Sequence, residues 1–120
     1  MWRGAGIDEG RKDLVHGIEE VMPTYVVLVN WTDQGIRTYP ETTQRAEAFS
    51  GMVEKLGGKV VSLFWTIGPY DIVTVVEAPD DATITAGLLR VCALGNIRTT
   101  TLRAFGRDEM QSIVTKATAG

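Results

Sequence analysis

The sequence predicts an α+β fold, a four-stranded antiparallel sheet with two helices packed on one face. Three observations carry that reading. Tyr25-Val26-Val27-Leu28-Val29 and Ile72 to Val76 are strand-like runs rich in β-branched residues. The Gly68-Pro69 turn leaves too few residues between two such runs for anything except a hairpin. Two further segments carry apolar residues at helical spacing and are stopped by glycine.

Taken in order, Met1 to Val21 differ in character from the rest of the chain. They hold three glycines in the first ten positions and five acids against three bases. Leu14, Val15, Ile18 and Val21 allow a short amphipathic helix from about Arg11. Residues 1–21 are therefore expected to be an N-terminal extension, with Met22 as an alternative start, 22–117 to be the domain, and 118–120 a tail.

Thr24 to Trp31 is the first expected strand, followed by a polar loop from Thr32 to Glu41 punctuated by Gly35 and Pro40. Thr42 or Thr43 can cap a helix whose apolar positions are Ala46, Phe49, Met52, Val53 and Leu56, ended by Gly57-Gly58. Lys59 to Thr66 and Asp71 to Glu77 form the hairpin. Asp80 can cap a second helix with the stripe Ile84, Leu88, Val91 and Cys92, ended by Gly95. Asn96 to Arg103 supplies a fourth strand and Asp108 to Ala117 a third helix. The order β-α-β-β-α-β followed by a tail helix is that of a ferredoxin-like sandwich.

Both parities of Val26 to Val29 and of Ile72 to Val76 are predominantly apolar, so these strands need cover on both faces. Two helices can cover only one. The tail helix or a second subunit must cover the other, and a symmetric dimer with facing sheets would do so.

Composition narrows the function. At 120 residues with 44% apolar content the chain suits one small domain, and such a domain gains from self-association. A net charge of -3 without a basic stripe argues against nucleic acid as a partner. No apolar run of about 18 residues argues for a membrane span, and nothing resembles a signal peptide, so a cytoplasmic location is expected. His16 lies in the extension and Cys92 is alone, so neither a metal site nor a cofactor is expected.

The segments Met22-Pro23-Thr24-Tyr25-Val26-Val27-Leu28-Val29-Asn30-Trp31-Thr32, Trp65-Thr66-Ile67-Gly68-Pro69-Tyr70-Asp71-Ile72-Val73 and Gly95-Asn96-Ile97-Arg98-Thr99-Thr100-Thr101-Leu102 together resemble the GYD domain family. In its namesake motif Pro69 is interposed between Gly68 and Tyr70. The resemblance, over roughly Met22 to Lys116, implies a dimeric α/β barrel in which two ferredoxin-like units join sheet to sheet. It implies no particular reaction.

Candidate site residues cluster at strand ends. Tyr70 and Asp71 are the catalytic candidates, as donor and base, although a turn alone is sufficient reason for Gly68, Pro69 and Asp71. Ligand-binding candidates are Asn30, Arg37, Trp65, Gly68, Tyr70, Asp71 and Arg98. Asn30 and Trp31 point to opposite faces, so only one of them can line a given cavity. Trp31 and Trp65 suit core or interface positions as well as a pocket wall. The Thr99-Thr100-Thr101 run places hydroxyls on both faces.

Three functions fit these residues. One is a homo-oligomeric module binding a small apolar or amphipathic molecule, with Trp65, Tyr70 and Asp71 near the mouth. The second is a cofactor-independent isomerase or oxygenase using Asp71 or the Tyr70 phenolate as base. The third is a structural or accessory subunit with a filled core.

Overall fold

The computed structural model describes residues 22–119; the expected extension and its helix lie outside them. Pro23–Ala104 form one compact unit, and the segment from Phe105 belongs to a second. The first contains β1 (Thr24–Trp31), α1 (Asp33–Arg37), a 3-10 turn (Tyr39–Glu41), α2 (Thr42–Lys55), β2 (Lys59–Trp65), β3 (Ile72–Glu77), α3 (Asp81–Cys92) and β4 (Ile97–Ala104). The second holds α4 (Arg107–Ala119), an exposed helix with Asp108 and Glu109 in its first turn and Lys116 in its last, as the helix dipole favours.

The strands form one antiparallel sheet in the order β2-β3-β1-β4, the ferredoxin-like arrangement. The two most apolar strands, β1 and β3, occupy the centre, paired as Val29 with Ile72 and Tyr25 with Val76. Val29 faces Thr99 and Trp31 faces Ile97 on β4. One parity of each central strand is buried: Tyr25, Val27 and Val29 on β1, and Ile72, Thr74 and Val76 on β3. Phe49 and Met52 of α2 and Leu88 of α3 pack against it. Each fully buried valine there contributes roughly 1.5–3 kcal/mol. Thr74 satisfies its hydroxyl by donating to the Ser62 carbonyl at 2.7 Å.

The opposite parity forms a second apolar face. Val26, Leu28, Val73 and Val75 are half-buried on it, with Phe64 and Leu102 exposed at its flanks.

Two expectations need correction. The segment expected to be a loop from Thr32 to Glu41 contains α1 and the 3-10 turn. Thr32 caps α1, its Oγ1 accepting the Gly35 amide at 3.0 Å while its hydroxyl donates to the Gly95 carbonyl at 2.6 Å. A five-residue helix with a central glycine has too little local propensity to be legible in sequence; tertiary contact holds it. Gly35 is buried so tightly that a Cβ there would overlap the Asn96 carbonyl oxygen. The cap of α2 also differs. Glu41 occupies the cap position without a side-chain bond, and Thr42 is already helical, its Oγ1 accepting the Trp65 indole N–H at 3.0 Å.

Asp80 caps α3 as the sequence indicates, accepting the Thr83 amide at 2.8 Å. Thr83, through its side chain and then its amide, holds the Asp80 carboxyl below the usual carboxylate range. At the hairpin, Gly68 takes φ 118°, a region that a residue with a Cβ rarely enters.

Candidate functional site

The sheet and its two helices do not close everywhere. Helices α2 and α3 approach closely where Gly87 meets Met52 and Leu56; a Cβ at Gly87 would lie 3.0 Å from Leu56 Cδ1 and 3.1 Å from Met52 Sδ. Around the start of α2 and the end of α3 they leave a cavity of about 370 Å³ above the sheet. This volume lies in the usual range for small-molecule sites.

Its walls are layered by the strand register. Val27, Val29, Ile72 and Thr74 of the central strands make the floor, with Phe49, Met52 and Leu88 beside them. Trp31, Thr42, Arg45, Arg90 and Asn96 line the end where β1 finishes and β4 begins. Arg45 is held in place: Nη1 donates to the Thr38 hydroxyl at 2.9 Å and to its carbonyl at 3.2 Å, and Nη2 donates to the Gly35 carbonyl at 3.2 Å. The short helix α1 thus positions a guanidinium.

None of the seven candidate ligand-binding residues lines this cavity. Several support it from outside. The Asp71 carboxylate accepts the Trp31 backbone N–H at 2.9 Å, and the Asp71 amide donates to the Val29 carbonyl at 2.8 Å. The carboxylate therefore fixes the end of β1, from which the Trp31 side chain enters the cavity. Trp65 ties the edge strand to Thr42 at the start of α2. Asn30 faces the other way and its amide donates to the Pro69 carbonyl at 2.8 Å, while Arg98 sits opposite it on β4. The Tyr70 carbonyl accepts the Thr66 hydroxyl at 2.6 Å. Arg37 is exposed in the last turn of α1, and its side chain makes no hydrogen bond or ion pair among the described residues. The structure brings Asn30, Pro69, Tyr70 and Asp71 together in one turn and leaves Arg37 apart from it.

Sequence reasoning missed Arg45, Arg90 and Asn96. Arg45 carried a signal: it lies within the inward stripe of α2, one residue before Ala46 and four before Phe49. A cation at an inward helical position calls for a buried partner or a ligand. Arg90 and Asn96 carried none, since each sits beside a helix end where polar residues are ordinary.

Among the described residues, the lining includes no carboxylate, imidazole, thiol, phenol or amine. Those described residues thus offer none of the side chains usual in general acid–base chemistry. Among the described residues no cluster of three or more His, Cys, Asp and Glu could hold a metal ion. Cys92 is half-buried with its Sγ 3.8 Å from Thr99 Oγ1. The Tyr25 phenol lies at the opposite end of β1. Burial, and then its hydrogen bond to Asp81, push Tyr25 up to about 12.

Comparison with known proteins finds relatives in sequence and in fold. The chain is 38% identical over 85 residues to the glutamine synthetase and cystathionine beta-lyase binding protein of Thermus thermophilus, an alignment spanning 70% of this chain and 90% of that protein. The crystal structure of TTHA0845 from Thermus thermophilus matches at 25% identity and TM-score 0.47, over 71% of this chain and 95% of that one. The leucine response regulatory protein LrpA of Mycobacterium tuberculosis matches at TM-score 0.54 and 18% identity, over 82% of this chain and 65% of that one, a likeness of fold alone. The GYD domain model matches residues 25–114, three quarters of the sequence, and with the 38% identical relative it places this chain in the GYD domain family.

Proposed function

We propose that the protein is a homo-oligomeric module that binds a small organic molecule between its sheet and its helices. The observation that carries this reading is the 370 Å³ cavity, with an apolar floor and convergent polar groups at one end. The lack of an acid or base of the usual kinds among the described lining residues favours binding over the isomerase or oxygenase alternative. Self-association is supported by the second apolar face of the sheet, which two copies related by a twofold axis would cover together. A native mass spectrum showing only monomer at micromolar concentration would remove that part of the proposal.

The cavity is tested by filling it. Ala46 lines it from α2, and Ala46→Phe should abolish binding of the uncharged fluorophore N-phenyl-1-naphthylamine without lowering the melting temperature. Equal binding by the variant and the parent would contradict the assignment.

A second reading gives the chain a protein partner as an accessory subunit. It is favoured by the name of the Thermus thermophilus relative, which describes a protein that binds two enzymes. Size-exclusion chromatography with purified glutamine synthetase tests it: co-elution supports the reading, and separate elution at micromolar concentrations opposes it.

A further inference from the structure

We infer that the cavity takes an amphipathic carboxylate, seated with its head at the end formed by Arg45 and Arg90; this rests on the small-molecule reading above. Charge points the same way from both helices. Arg45 on α2 and Arg90 on α3 are the charged lining residues among those described, and no acid among the described residues lines the cavity to offset them. Among the described residues Arg45 pairs with Glu41 at 3.7 Å, whose side chain is 61% exposed, so solvent weakens that pair. Arg90 forms no ion pair among the described residues.

The balance of donors and acceptors is independent of that charge. Gln34 Nε2 donates to the Leu94 carbonyl at 3.0 Å, which fixes the orientation of its amide. The same nitrogen donates to Asn96 Oδ1 at 2.9 Å, leaving the Asn96 amide hydrogens to spare. Thr42 Oγ1 already accepts from Trp65, so its own proton remains for donation. Of the five guanidinium N–H groups of Arg45, Nη1 spends two and Nη2 one on carbonyl and hydroxyl oxygens, so Nε–H and one Nη2–H remain among the described contacts. The polar end of the cavity has surplus donors, and an acceptor-only carboxylate complements it. An ammonium head would bring more donors and a like charge.

Size and floor set the rest of the ligand. The cavity volume of 370 Å³ is near the small end of the range for small-molecule sites, which suits a carboxylate with an apolar body of roughly seven to ten carbons. Val27, Phe49, Met52 and Leu88 would receive that body.

Isothermal titration of the full chain with octanoate, 1-octanol and octylamine tests this. Octanoate should bind roughly tenfold or more tightly than octanol, and octylamine should not bind. Arg90→Gln, at an exposed position, should weaken octanoate roughly five- to tenfold and leave octanol unchanged. Arg45→Gln should do the same, with its melting curve checked because Arg45 also supports α1. Equal affinity for octanoate and octanol, or octanoate binding unchanged in both variants, would overturn the carboxylate inference while leaving the cavity as a binding site. If none of the three ligands binds, the small-molecule reading fails with it.

Discussion

Asp71 is the residue at which the structural and catalytic readings part. Its carboxylate accepts the Trp31 amide and lies outside the cavity lining. A hydrogen bond to a charged acceptor contributes roughly 1.5–3 kcal/mol, and half-exposure places this one at the low end. Asp71→Ala should therefore cost about 1–2 kcal/mol in denaturant unfolding, whereas Asp71→Asn, which keeps an acceptor oxygen, should cost less. Equal, negligible losses for both would remove the positioning role. The Gly68-Pro69 turn was legible because glycine and proline have few other uses between two strands. The target of the Asp71 carboxylate was not, because Trp31 lies 40 positions away in sequence.

Tyr25 offers a test by pH. Its folded pKa of about 12 lies above the unfolded value of 10.0, so the folded state holds the proton more tightly. The stability this contributes is fully present below pH 10 and is lost as pH rises toward 12. Ultraviolet titration should show a late component from Tyr25 that is absent from Tyr25→Phe. A parent and variant with the same late titration would contradict the assignment.

At the scale of elements, the strands and the two long helices were legible because each carries its own period and its own stop. Observed ends fall within one or two residues of those expected. What local pattern did not reveal is how α2 and α3 lie against each other. That depends on Gly87, which lets Met52 and Leu56 come close at one end while Thr42, Arg45 and Arg90 surround a cavity near the other. Short α1 was hidden for the related reason that its stability comes from contact with the start of β4. Gly35→Ala should therefore cost about 2–3 kcal/mol, although alanine is the better helix former. It should also disturb Arg45, whose Nη2 bonds the Gly35 carbonyl. A neutral or stabilising effect in thermal unfolding would mean that α1 is held by something else.

For the whole molecule, the two-sided apolar sheet and the ferredoxin-like order were readable from strand parity and element order. The cavity was not. The candidate residues came from the turn and strand ends, yet the cavity lies on the helix side and is built from residues of ordinary type whose meaning comes only from convergence. The sheet thus has two apolar faces with different proposed uses: one faces its helices around a ligand, and the other faces a second copy. The measurement that separates them is an NMR titration of the labelled protein with N-phenyl-1-naphthylamine. The account predicts shifts at the Trp31 indole, the Met52 methyl and the Asn96 side-chain amide. Shifts confined to Phe64, Leu102 and Tyr70 would place the ligand elsewhere and contradict it.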